Sequence, residues 1–317
     1  DRGPRRQRNA ALDGPASRDV WAPEIHFIDG HWYAYFTATT ADRSDANRRI
    51  FVLESKSDDP LGAWEFRGRL AVAEGDDHYA IDGTVYRHSD GQLYFLWSGR
   101  EKSERGPQNI YIATMSDART VSGKRVRIST PDRDWEKHGW WVNEGPQVLL
   151  RDGKVLVIYS GSGFLTPNYC LGMLINKTGK LLDPADWDKY PEPLFSTYST
   201  KESSVFAPGH CSFFKSPDGS EDWIIYHARD TEKPQGNDRT VRAQPFIWKG
   251  NGLPEFGRPV RPGALVGVPA GERPEGSRQG TDRRGEGGKG GRGENGRRQG
   301  TATANDFNTA RRTRREI

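Results

Sequence analysis

Cysteine is scarce in this chain: two residues, Cys170 and Cys211, in 317. That number excludes a disulfide framework, and neither cysteine has neighbours at metal-ligand spacing. Both fall in or beside strand-like runs, so they read as buried thiols. Long apolar runs are missing as well, which excludes a membrane-spanning helix. No leader pattern is visible in a chain that begins with Asp1. Helix signals are nearly absent, the one candidate being a turn at 183–187, DPADW. A mean hydropathy of −0.85 is too polar for a packed domain, and the ends account for it. Of the net charge of +4, the first 19 residues supply +2 and residues 272–317 supply +5, leaving −3 for the stretch between. The basic balance therefore says nothing about the folded part.

What is present is a repeat. Asp-Gly pairs stand at 29–30, 90–91, 152–153 and 218–219, spaced by 61, 62 and 66 residues. Each separates two runs of strand formers, as in NEGPQVLLR and KVLVIYSGS on either side of Asp152-Gly153, which is the pattern of a β-hairpin. A third and a fourth strand-like run follow each hairpin, for example IFVLES at 50–55 and WEFR at 64–67. Four strands per unit of about 60 residues describe the blades of a β-propeller, small antiparallel sheets that bury their faces against one another. The units run over about 20–72, 73–130, 131–200 and 201–268. They follow an irregular lead-in, 1–19, and precede a Gly/Arg-rich tail, 269–317, whose composition predicts disorder. Acidic residues interspersed in that tail, with no aromatic platform, argue against a nucleic-acid partner.

Counting eight residues back from each turn aspartate gives Trp21, Asp82, Glu144 and His210. The innermost strands of a propeller line its axis, so the count predicts one pocket holding an indole, two carboxyl groups and an imidazole at one equivalent position. Two carboxyl groups in one channel suit hydrolysis of a glycosidic bond, where an acid of raised pKa must protonate the leaving oxygen. Trp21, with Trp97, Trp140 and Trp141, offers flat faces on which a sugar can stack. Glu24 reads as a salt-bridge residue. His210, followed by Phe213 and Phe214, reads either as a core histidine or as a channel ligand.

The stretches Trp21-Ala-Pro-Glu-Ile, Ala80-Ile-Asp-Gly-Thr, Asn143-Glu-Gly-Pro and Pro208-Gly-His-Cys-Ser-Phe-Phe resemble glycoside hydrolase family 43, in particular its α-L-arabinofuranosidases and exo-arabinanases. The resemblance covers about 18–268. It implies an all-β, five-bladed β-propeller, of which four blades are visible and the first is expected to be lacking. It also implies inverting cleavage of terminal α-L-arabinofuranosyl or β-xylosyl linkages. Arabinan, arabinoxylan and their oligosaccharides would be the partners, and secretion the setting. Carried over residue by residue, Glu144 is the general acid and Asp82 the carboxylate that raises its pKa. Trp21, His210 and Arg242 face the substrate. No cofactor is required, with calcium admitted near His210. The family's general base, an aspartate upstream of the Trp-Ala-Pro motif, has no counterpart; Asp13 and Asp19 are the acidic residues nearest that place. A carbohydrate-binding propeller without turnover is the alternative that this gap implies.

Overall fold

The computed structural model describes residues 14–101, 105–235 and 238–272. Asp13 and the tail beyond 272 lie outside them. Among the described residues, eighteen strands form four antiparallel sheets. The first is β1 (Arg18–Ile28), β2 (His31–Thr39), β3 (Arg49–Ser55) and β4 (Trp64–Arg69). The second is β5 (Ala80–Arg87), β6 (Leu93–Gly99) and β7 (Asn109–Asp117), with the short β8 (Thr120–Val121) and β9 (Val126–Ser129) both on β7. The third is β10 (Asn143–Arg151), β11 (Lys154–Gly161), β12 (Cys170–Asn176) and β13 (Trp187–Lys189). The fourth is β14 (Tyr198–Ser199), β15 (Ser204–Lys215), β16 (Asp222–Arg229), β17 (Thr240–Trp248) and β18 (Pro254–Glu255). These are four blades of a β-propeller, and β1 packs on β5, β5 on β10 and β10 on β15.

Apolar layers fill the spaces between blades. Tyr35, Ile50 and Val52 of the first blade meet Phe95, Trp97 and Tyr111 of the second. Leu96, Ile110 and Ile112 meet Val157 and Tyr159 of the third, and Leu156, Ile158 and Met173 meet Ile224, Tyr226 and Phe246 of the fourth. Each such side chain contributes about 1.5–3 kcal/mol on burial. Trp97 is 7% exposed and stacks on Tyr111, so it belongs to this packing and not to a sugar-binding wall. Cys170 and Cys211 are buried free thiols. The turn at 183–187 is a single 3-10 turn, Pro184–Asp186, capped by the Asp183 carboxylate accepting from Ala185 N at 3.0 Å. The outer strand of the third blade is β13, and Phe195 makes one isolated bridge to Leu171. Among the described residues no helix is long and apolar enough to cross a membrane.

The register of the inner strands differs from the count made from the turns. Asp29-Gly30 and Asp152-Gly153 are two-residue loops with both residues at positive φ. By contrast Arg87 pairs with Leu93 and Lys215 with Asp222, so those loops are longer and their aspartates sit further from the strand. The true landmark is a bulge. Between the pairs Trp21/Thr37 and Glu24/Tyr35, Ile81/Ser98 and Thr84/Leu96, Glu144/Ser160 and Gln147/Ile158, and Gly209/His227 and Ser212/Ile225, the inner strand carries one extra residue. At this place Ala22, Asp82, Gly145 and His210 hold φ of 43°, 55°, 56° and 49°. Asp82 and His210 therefore occupy the bulge itself, whereas Trp21 and Glu144 stand one residue before it.

A bulge residue in the left-handed region cannot use its N–H in the ladder, and the preceding blade supplies the partner. Asp82 N donates to Thr37 Oγ1 at 3.1 Å, Gly145 N to Asp82 Oδ2 at 3.1 Å, and His210 N to Ser160 Oγ at 2.8 Å. Each blade is thus hydrogen-bonded to the next at the axis.

Candidate active site

The extra residue in each inner strand turns the side chains beside it toward the axis. Asp82, Glu144 and His210 converge there, with ligand-capable atoms all within 4.8 Å of one another. His210 Nδ1 lies 3.9 Å from Asp82 Oδ2. Glu144 Oε1 accepts from the Tyr169 hydroxyl at 2.8 Å and Oε2 from Gln108 Nε2 at 3.4 Å. Tyr169 is itself fixed: its ring lies parallel to His227 at 5.6 Å, and Gly209 leaves room for it, since a Cβ there would stand 2.2 Å from the Tyr169 ring.

Burial dominates the electrostatics. It pushes the Glu144 carboxyl well above its usual range, and the neighbouring Asp82 charge pushes it further. His210, the Tyr169 hydrogen bond and Arg239 pull the other way with less effect. Burial likewise raises Asp82, against the Gly145 N–H that favours its anion. Two carboxyl groups so coupled titrate as a pair and hold a proton near neutral pH. Burial lowers His210, keeping its imidazole neutral, and pushes His227 down to about 2.

Glu144 opens onto a cleft of about 620 Å³ lined by Trp21, Asp45, Arg100, Gln108, Trp140, Trp141 and Phe164, among others. Trp21 is half-exposed, and the Arg48 guanidinium covers one ring face at 3.5 Å from the centroid. Asp19 pairs with Arg48 and Arg43. Asp45, which the sequence did not single out, faces the cleft between Arg48 (2.8 Å) and Arg100 (2.6 Å). Glu24 pairs with His26 at 3.1 Å and accepts from Gln147, and its charge also bears on Asp82 and His210.

Arg242 is not brought to the cluster. It is buried on β17, where its guanidinium bonds the Asp230 carboxylate and, at 2.5 Å, the Val260 carbonyl. The arginine that acts on the site is Arg239, whose charge bears on Asp82, Glu144, His210 and His227 and which sits 4.9 Å over the Phe164 ring. It precedes the first residue of β17. Strand alternation, which puts Arg242 on the buried face with Gln244, was the signal available against Arg242.

Calcium takes six to eight oxygen ligands. The cluster offers two carboxyl groups and one imidazole, and three of the four carboxyl oxygens already accept from Gly145, Tyr169 and Gln108. These residues alone do not fit a calcium site.

A profile of glycosyl hydrolases family 43 matches residues 2–254. The chain belongs to glycosyl hydrolase family 43. It is 38% identical over 257 residues to an extracellular exo-α-(1→5)-L-arabinofuranosidase of Streptomyces avermitilis, a match covering 79% of this chain and 52% of that protein. It is 35% identical to α-L-arabinofuranosidase 43 of Humicola insolens, with the same coverages. The family 43 chain thus spans about half the length of these relatives. Among solved structures, an α-L-arabinofuranosidase from Lactobacillus brevis superposes with a TM-score of 0.71 at 36% identity, covering 78% of this chain and 79% of that one.

Proposed function

We infer that this chain is a glycosidase releasing terminal α-L-arabinofuranosyl residues from arabinan or arabinoxylan, with inversion. One observation carries the reading: a carboxyl group set beside a second carboxyl group opens into an aromatic-walled cleft, where burial and its neighbour raise its pKa. Glu144 would give its proton to the glycosidic oxygen as the bond from that oxygen to the anomeric carbon breaks. Water would add to the opposite face of that carbon, losing a proton to a base. Asp82 holds Glu144 protonated and ties it to the second blade through Gly145. His210 lies beside Asp82, and the Arg239 charge bears on both carboxyl groups. The base is not assigned to a described residue, because Asp19 and Asp45 are both engaged by arginines. The printed names of the relatives support arabinose as the sugar and an extracellular setting.

The test is sugar release from aryl α-L-arabinofuranoside and aryl β-xyloside, by this chain and by Glu144→Gln. The expected result is release of arabinose in preference to xylose, with the released arabinose appearing first as the β-anomer by NMR. Glu144→Gln should lower kcat on arabino-oligosaccharides by roughly a hundred- to ten-thousandfold. Sugar binding without any release would reject hydrolysis by this chain.

A further inference from the structure

The cleft continues past Glu144 onto two tryptophans that the hydrolytic step does not use. Trp140 and Trp141 are 52% and 56% exposed, and both line the same cleft as Glu144. Adjacent indoles left half in water on a folded surface mark a binding surface.

The loop carrying them is built, not frayed. His138 N donates to Ser162 Oγ at 3.0 Å, Gly163 N to the His138 carbonyl at 2.8 Å, and Gln108 N to the Trp141 carbonyl at 3.0 Å. Gly163 is required beneath Trp140, since a Cβ there would stand 2.4 Å from the indole ring. Trp140 also stacks on Phe164 at 6.2 Å. Arg229, 1% exposed, holds the Phe164 and Thr166 carbonyls at 3.0 and 2.9 Å. The Lys137 ammonium lies 5.4 Å from the Trp141 ring centre. Both indoles are thereby oriented before any ligand arrives, and preorganisation lowers the cost of binding.

Exposure orders the site. Asp82, beside Glu144, is 5% exposed, whereas the two tryptophans are half in water. A general acid sits beside the oxygen that joins the released sugar to the rest of the substrate. The released ring therefore lies on the buried side and the remaining chain on the exposed side. The geometry points to Trp140 and Trp141 as a leaving-group subsite that stacks the sugar rings of a polysaccharide beyond the scissile bond. The occupant is a carbohydrate chain because the surface is continuous with the cleft at Glu144, and because Gln108, Arg100 and Asp45 offer hydroxyl partners beside the indoles. This rests on the glycosidase reading of Glu144.

Binding and turnover separate the two readings. Linear arabino-oligosaccharides of increasing length are titrated by calorimetry into Glu144→Gln, alone and combined with Trp140→Ala, Trp141→Ala or Trp141→Phe. Turnover of aryl α-L-arabinofuranoside is measured for the single tryptophan variants. Affinity should rise with length in Glu144→Gln. Each alanine should remove that rise, weakening the longer ligands by about two- to tenfold, and Trp141→Phe should restore part of it. Aryl turnover, which places only one ring beyond the scissile bond, should fall less than the affinity for the longest oligosaccharides. Length dependence that survives both alanine substitutions, or aryl turnover without any gain from added sugars, overturns the subsite and leaves the hydrolase standing. Length-dependent binding lost in the alanine variants, with no turnover by the parent chain, upholds the subsite and rejects hydrolysis by this chain.

Discussion

Glu144 is held between influences of opposite sign, and removing each should move the pH profile in a different direction. Asp82 raises its pKa and the Tyr169 hydroxyl lowers it. The acid must carry a proton to act, so activity is lost as pH rises through its pKa. Asp82→Asn should shift the alkaline limb of kcat/KM to lower pH, and Tyr169→Phe should shift it to higher pH, each by roughly one unit. A profile of kcat/KM against pH for the two variants decides this; shifts in the same direction would contradict the arrangement. Stability follows by linkage. A carboxyl group whose folded pKa lies above its unfolded value binds more protons when folded, so its contribution falls as pH rises between those two values. Glu144→Gln removes that loss. It should raise the melting temperature relative to the parent chain more at pH 8 than at pH 5, corresponding to a stability difference of no more than about a few kcal/mol. Thermal unfolding at the two pH values checks it.

The hairpins were legible in the sequence because Asp-Gly between two β-forming runs has a local cause, and strands β1, β2, β10 and β11 lie where that signal puts them. The identities of Asp82, Glu144 and His210 were legible for the same reason, since the repeat brings them to the axis. Their register was not. Loop length at 88–92 and 216–221 displaced the turn aspartates, and the bulge that sets the side-chain directions has no residue signature: it accepts Ala, Asp, Gly and His. Arg239 was missed because it lies just before its strand, where alternation is silent. The hydroxyls that receive the bulge N–H groups were also invisible, being contributed by another blade. Thr37→Val keeps the shape and removes the acceptor for Asp82 N, which should cost about 1–3 kcal/mol in urea unfolding. Ala22→Gly should stabilise, by up to about 1 kcal/mol, because only glycine adopts that φ without penalty.

The blades are not equally enclosed. β11 and β12 are buried along nearly their whole length, whereas Ile25, Phe27 and Phe66 on the outer face of the first blade are 37%, 48% and 45% exposed. Local opening should follow this order. Hydrogen–deuterium exchange read by mass spectrometry should find β11 and β12 the slowest segments and β1 and β4 among the fastest of the strands. Uniform protection across the blades would show that they open only together. The axial bulges bear on a different risk. β1, β5 and β10 are each the inner edge of a sheet, and a straight edge strand is a template on which a foreign strand can pair and begin aggregation. Ala22, Asp82 and Gly145 break that template at the centre of the molecule, and two of the three displaced N–H groups are already bonded to a side chain of a neighbouring blade. The same kink that aims Asp82 and Glu144 at the axis thus denies an incoming strand a continuous ladder along these edges.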